Sequence, residues 1–444
     1  MPFYIKQLNK NFSILTILHF TFGFLISSRK DLATFWGLGV LFYGLLNVIR
    51  YKNKNDEASI FAGYLVGMEV VLRGVGASVF WEYGKYSTIL ILFIGMVAEN
   101  VKFLKINTLS VIYFVSLLPS ISLLPDYNFF IIRQMISANL SGPLCLFFSF
   151  LYFRRRIFNE GNICNVFKSL MLPIISLLGL ILVRAPDIQD LQFSSEANFQ
   201  MSAGFGPNQV STLLGVSLIL VLLSRIINLK IFPKPVYDYI FLAVCIGFAL
   251  LTFARGGVIA PFIAVMFAYF FSGRQKNKIH HTSVIYVFIV LLGLYYFASS
   301  FTEGMLDTRY AALLGVLDPQ QSTLSGRTKI MTIDLQIFMD NFWMGAGPGA
   351  AHHLRWIYGY DSAVGSHSEF TRMLAEHGLF GLISLFSLLI LSYKEYRNRT
   401  DYNKVILGCM SIFSILTMFH SAFRIALPGF IYGLSYIILN FQKK

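Results

Sequence analysis

Residues 165–183 read Asn165-Val166-Phe167-Lys168-Ser169-Leu170-Met171-Leu172-Pro173-Ile174-Ile175-Ser176-Leu177-Leu178-Gly179-Leu180-Ile181-Leu182-Val183. As a helix rising about 1.5 Å per residue, this stretch covers most of the roughly 30 Å hydrocarbon core of a bilayer. Apolar runs of roughly 17–20 residues recur along the whole chain. Hydrophobic residues make up 56%, charged residues 13%, and mean hydropathy is +0.63. A soluble chain of this length could not hide so much apolar surface. The expected fold is therefore an all-α polytopic membrane protein with about 12–14 transmembrane helices. The spans read as 12–27, 34–49, 58–80, 87–101, 108–124, 136–152, 165–183, 207–223, 237–254, 257–272, 283–299, 368–393, 405–420 and 426–441. No small-residue cleavage site follows the first, so it reads as a retained helix.

Alternate connections carry the basic residues. They are Lys6 and Lys10; Arg50, Lys52 and Lys54; Lys102 and Lys105; Arg154, Arg155 and Arg156; and Arg225, Lys230 and Lys234. Arg274, Lys276 and Lys278 follow, then Lys394, Arg397, Arg399 and Lys404, and finally Lys443 and Lys444. These belong on the cytoplasmic side, and both termini with them. The net charge of +14 thus reports membrane orientation, and no nucleic-acid partner is expected. Cys145, Cys164, Cys245 and Cys409 show no metal-binding spacing and read as packed thiols.

The outer face then holds one long polar segment, 300–366, which divides the chain into helices 1–299, this loop, and helices 367–444. Within it Arg327–Trp343 reads as an interfacial helix ended by Gly345-Ala346-Gly347-Pro348-Gly349. A loop of that length in a compact membrane protein is ordinarily functional. A smaller outer connection, 185–206, carries Asp187, Asp190 and Glu196.

Several arginines break the rule that set the orientation. Arg73 lies in the outer half of its span, Arg133 and Arg184 lie at outer helix ends, and Arg255 sits in the short turn Phe253-Ala254-Arg255-Gly256-Gly257. Arg309, Arg327, Arg355 and Arg372 are in or beside the long loop, and Arg424 is in the last outer turn. Outer lysines are few: Lys30, Lys85 and Lys329. Arginine offers a planar fork that stays charged and binds phosphate oxygens in pairs. The set predicts a cavity for a pyrophosphate-bearing lipid, with Arg255, Arg327, Arg355 and Arg372 as principal ligands and Arg73, Arg184, Arg309 and Arg424 as further ones. For Arg73 the bland alternative is pairing with Glu69 and Glu82. The two glycines after Arg255 would let a phosphate approach the backbone.

His367 stands where the loop re-enters a helix expected to start near Ser366, with Thr371, Leu374 and Gly378 on the same face. Its titration range suits general-base work near neutral pH. His352, His353, His377 and His420 compete for that role. His352-His353 would need a third metal ligand, and Asp361 is the only acid near, so no metal and no cofactor are expected.

Four stretches resemble the O-antigen ligase and polymerase superfamily. They are Gly206-Pro207-Asn208, Leu251-Thr252-Phe253-Ala254-Arg255-Gly256-Gly257, the Ser325-Gly326-Arg327 helix ending in Gly345-Ala346-Gly347, and His367-Ser368 followed after residues 369–377 by Gly378-Leu379-Phe380-Gly381. The family pattern often has Asn where this chain has Ser368. The resemblance implies a GT-C-like membrane glycosyltransferase of the bacterial inner membrane, with its site on the periplasmic face. It would move a glycan from undecaprenyl pyrophosphate to an acceptor hydroxyl. Arg255 and Arg327 would hold the pyrophosphate and His367 would be the base, giving inversion without a metal. The His-Ser spacing leans toward a ligase, whose acceptor is lipid A-core. The alternative is a polymerase, whose acceptor is another lipid-linked repeat. Besides these, only inner-membrane lipids are expected as partners. A transporter or flippase would line a path to both faces, commonly in repeated halves. Here the charges gather at one face and no repeat is visible.

Overall fold

The structure is a computed structural model and describes residues 2–99, 106–124, 128–186, 197–272, 281–311, 324–360 and 365–440. In the first half the helices are α1 Phe3–Lys10, α2 Phe12–Ile26, α3 Lys30–Tyr51, α4 Glu57–Val75, α5 Tyr83–Ala98, α6 Thr108–Val115, α7 Phe129–Phe153 and α8 Glu160–Arg184. In the second they are α9 Pro207–Ile226, α10 Pro235–Leu251, α11 Gly256–Ser272, α12 His281–Phe301, α13 Met305–Ala311 and α14 Leu324–Asp340. α15 Ala350–Leu354, α16 Glu369–Asn398, α17 Asp401–Ser421 and α18 Leu427–Leu434 complete the set. Seven of these are long and apolar enough to cross a membrane, or eight if the bent α12–α13 pair is one span, and five shorter apolar helices join them. The protein is an all-α polytopic membrane protein.

The apolar stretch 165–183 lies in α8, buried on every side from Ile163 to Ile181. α9 is buried almost throughout as well. Helices apolar all round belong at the centre of a bundle, and these two are its central posts. α8 packs on α2 and α4, and α9 on α10 and α11, with α17 beside α11. Asn107, Asn128 and Asn159 begin α6, α7 and α8 by accepting from the N–H of Leu109, Phe130 and Asn162, satisfying donors that a helix start leaves open.

Two elements depart from the sequence expectation. The run 426–441 is not a span: α18 covers Leu427–Leu434, and Ile438–Leu439 then pairs in parallel with Ile157–Phe158. The run is apolar because it is buried among α7, α16 and α17, which hydropathy alone does not separate from lipid exposure. α16 begins at Glu369, so His367 precedes the helix instead of riding on it, and the helix breaks at Gly378 (φ 57°, ψ −137°). There Leu379 N–H donates to Phe342 O at 2.7 Å, and a Cβ on Gly378 would meet Phe342 O at 2.6 Å. Gly378 is thus the break itself, fitted to the end of the loop helix. The acidic residues Asp187, Asp190 and Glu196, the basic residues Lys102, Lys105, Arg274, Lys276, Lys278, Lys443 and Lys444, and Asp361 lie outside the described residues.

At one end of the bundle, Arg156 pairs with Asp56 (2.8 Å) and Glu99 (2.7 Å), and Arg225 with Asp238. The site lies at the other end, where α13 and α14 meet the other helices.

Candidate active site

The turn between α10 and α11 carries Arg255. Thr252 Oγ1 donates to Ala249 O (2.7 Å) and accepts from Ala254 N–H (3.2 Å), while Phe253 takes a left-handed φ of 53°. α13 folds back from α12 through a 116° bend and meets this turn. Arg255 Nη1 donates to Arg309 O at 2.7 Å, and Arg309 Nε donates to Phe253 O at 3.2 Å. Arg309 is therefore bound to the turn that presents Arg255. Gly256 and Gly257 serve packing: a Cβ on Gly256 would collide with the His420 ring, and one on Gly257 with Ser211 of α9. Their lack of side chains brings helices together, whereas the sequence had suggested room for a phosphate.

Arg327 stands on α14 and donates through Nη2 to Asn208 Oδ1 at 3.3 Å. Asn208 opens α9, and its carbonyl accepts from Thr212 Oγ1 at 2.6 Å. His420, at the end of α17, donates from Nδ1 to Leu416 O (2.9 Å), which leaves the Nε2 lone pair 3.3 Å from Thr212 Oγ1.

His367 is placed from the other side by Asp334, seven residues beyond Arg327 and hence on nearly the same face of α14. Asp334 is wholly buried. It accepts from Arg355 Nη2 (2.7 Å), Ser366 Oγ (2.8 Å) and Thr371 Oγ1 (3.0 Å). Arg355 also bonds Ser366 Oγ, and Arg424 Nη2 donates to the carbonyls of Gly365 (3.2 Å) and Ser366 (3.1 Å). The strand before His367 is thus fixed on both flanks.

Arg255, Arg327, His367, Ser368 and His420 line one cavity of about 270 Å³, with Gly256, Ile259, Ala260 and Ile263 of α11 and Leu416 and Phe419 of α17 as its apolar wall. The α11 wall runs about 10 Å along the helix and ends where Ile263 and Phe419 are 44% and 52% exposed. The cavity is therefore polar at its mouth and open along an apolar groove. No carboxylate among the described residues lies within ion-pair distance of Arg255, Arg327 or Arg424. Burial holds the Arg327 guanidinium below its ordinary range, as do the charges of Arg255 and Arg424. His367 is pushed down to about 3, by burial first and then by Arg424, Arg327 and Arg355. Its ring is neutral at physiological pH, in a field that asks for an anion.

Other arginines singled out from the sequence are placed elsewhere. Arg355 is 1% exposed and held by Asp334, so the phosphate-ligand expectation for it is replaced by a structural clamp. Arg372 is bound by Glu369 and, at 3.4 Å, by Glu376, so it too faces carboxylates. Arg73 bridges Glu69 and Glu82, both at 2.8 Å. Arg184 caps the carbonyls of Gly74, Ala203 (3.2 Å) and Ser27 (2.9 Å). His377 is buried in hydrogen bonds to Ser120 Oγ (2.6 Å) and Asn139 Oδ1 (3.1 Å). The residue that sequence reasoning passed over is Asp334. Its signal was present, as the acid seven residues from Arg327 on a helix already read as amphipathic.

The fold and the cavity define a multi-pass membrane protein with a basic, histidine-bearing pocket at one end of its bundle. Residues 240–386 match the family model described as O-Antigen ligase. Over those residues the chain is similar to the O-antigen ligase and polymerase superfamily, a likeness that supports a ligase-type, glycosyl-transferring reading. No curated protein matches the chain. Arg255, Arg327, Asp334 and His367 fall inside the matched region; Asn208, His420 and Arg424 fall outside it.

Proposed function

We propose that the enzyme moves a glycan from undecaprenyl pyrophosphate to an acceptor hydroxyl on the periplasmic face of the inner membrane, most simply lipid A-core. The observation that carries this reading is the cavity itself: cations without counter-charges among the described residues, beside a neutral imidazole and continuous with an apolar groove. A lipid pyrophosphate is the ligand with both halves of that complementarity. Arg255 and Arg327 take the pyrophosphate, and the polyprenyl tail runs along Ile259, Ile263, Leu416 and Phe419 toward the bilayer.

The arginines then neutralise the charge that grows on the pyrophosphate as the glycosidic bond breaks. His367 takes the proton of the acceptor hydroxyl as it attacks from the opposite face, with inversion. Three guanidinium groups disfavour the imidazolium. A bound pyrophosphate offsets them and restores the basicity of the ring, so base and donor act together. Both termini lie in the cytoplasm on this reading, which Arg156 and Arg225 of the alternating basic clusters support by sitting at the end away from the cavity. A polymerase would use the same donor chemistry with a lipid-linked repeat as acceptor.

The test is Arg255→Lys in a detergent assay of transfer from purified lipid-linked glycan. Lysine keeps the charge and loses the fork, so turnover over KM should fall at least about 10-fold with normal membrane insertion. Activity at the parent level would mean that only charge is needed, or that the pyrophosphate binds elsewhere.

A further inference from the structure

α16 begins without the side-chain cap that its sequence provides. Ser368 is the N-cap residue, at φ −109° and ψ 126°, a position from which a serine hydroxyl ordinarily accepts from the second or third N–H of the helix. It does not. Ser368 is 1% exposed, its Oγ is buried with no hydrogen-bond partner among the described residues, and it lines the cavity with Arg255, Arg327 and His367. Among the described residues, nothing accepts from the N–H groups of Glu369, Phe370 or Thr371 either; the first bond at this end runs from Arg372 N–H to Ser368 O (3.2 Å). Glu369, the acid that could satisfy the positive helix end, is committed elsewhere. Its carboxylate binds Arg372 and accepts from Phe423 N–H at 3.3 Å.

A buried hydroxyl on the wall of a cavity of cations, at the start of a helix whose first-turn N–H groups are open, makes a place for an anion's oxygens. We infer that Ser368 Oγ and the first-turn N–H groups of α16 form a phosphate subsite, which takes oxygens of the donor pyrophosphate alongside Arg255 and Arg327. The inference rests on the pyrophosphate reading above and adds a neutral, backbone-built half to a site otherwise made of arginines. It also explains why a serine at a helix start is left uncapped in a nearly closed place. Its hydrogen bonds are made to the ligand.

Ser368→Asp separates the subsite from simple capping. Aspartate caps a helix start as well as serine, but its charge would oppose a phosphate at that point. Binding of undecaprenyl pyrophosphate to the purified protein in detergent, with inorganic pyrophosphate as competitor, is measured alongside thermal unfolding. Ser368→Ala should weaken binding roughly 10- to 100-fold, the loss of a hydrogen bond to a charged group. Ser368→Asp should remove measurable binding while melting no lower than the parent, and Ser368→Thr, which keeps the hydroxyl, should bind near the parent level. If Ser368→Ala and Ser368→Asp bind pyrophosphate like the parent while Arg255→Ala and Arg327→Ala do not, the subsite is wrong and the donor reading stands. If the parent itself binds no pyrophosphate, both fall.

Discussion

Two groups of arginines sit at the same end of the bundle and differ in what holds them. Arg355, Arg372 and Arg73 each face carboxylates: Asp334, then Glu369 and Glu376, then Glu69 and Glu82. Arg255, Arg327 and Arg424 are oriented by neutral oxygens, those of Arg309 O, Asn208 Oδ1 and the Gly365 and Ser366 carbonyls. Neutral acceptors aim a guanidinium without cancelling its charge, which leaves that charge to be met by a ligand. A carboxylate cancels it and turns the side chain into a brace. The partner, rather than the residue type or the side of the membrane, separates binding arginines from building ones.

The sharpest way to break this comparison is to remove the group between the two sets. His367→Ala deletes the proposed base while leaving the ligand-facing arginines untouched. Turnover should fall about 10²–10⁴-fold, the usual worth of a positioned base, with donor affinity retained. His367→Gln, which can hold a hydroxyl but not take its proton, should fare little better. Transfer of purified lipid-linked glycan measures the first quantity and direct donor binding the second. Turnover within a few-fold of the parent would move the base elsewhere, with His420 on the opposite wall next in line.

The braced set should fail differently. In Asp334→Asn, Arg355 keeps a hydrogen-bond acceptor but loses its counter-charge, and the strand carrying Ser366 and His367 is released on one flank. Breaking a buried pair costs about 3–5 kcal/mol, so the melting temperature should drop. A base displaced by about 1 Å costs on the order of 100-fold in turnover. Donor affinity should change little, because Arg255 is held by the Arg309 carbonyl of α13 and Arg327 by Asn208 of α9. The opposite split, with affinity lost and turnover per bound donor kept, would make Arg355 a donor ligand and merge the two groups.

Much of this could be read before any coordinates. Apolar runs and alternating basic clusters imply a helical membrane protein because each is a local property of the chain. Arg255 and Arg327 stood out as arginines on the face that the basic clusters avoid, and His367 as the histidine where the long loop re-enters a helix, and the fold gathers them into one cavity. Arg355 looked the same as Arg327 by every local measure, since its counter-charge, Asp334, lies 21 residues away and meets it only after α14 and the 355–358 turn have packed. The run 426–441 misled for a related reason: burial inside protein and exposure to lipid select the same side chains. The glycines after Arg255 were readable as small, but what they make room for, the His420 ring and Ser211, is a tertiary fact.

The finest distinction between the two arginine groups is electrical, and the pH dependence of the reaction reads it. His367 is ordinarily half-protonated near pH 6.5, but here it is held at about 3 by burial and by Arg424, Arg327 and Arg355. A lowered value means that the neutral, base-competent ring persists into acid. The acid limb of kcat/KM, which reports the donor-free enzyme, should therefore lie well below pH 6 where His367 governs it. In Arg424→Gln one uncancelled positive charge is gone, the imidazolium is less opposed, and the His367 value rises. The limb should move toward neutral by about one pH unit, the scale of a single nearby charge. Arg73→Gln, which removes a guanidinium already matched by Glu69 and Glu82, should leave the limb in place. Equal shifts in the two variants would show that pairing does not decide which arginines the site feels. An unmoved limb in Arg424→Gln would show that His367 is not the group that titrates.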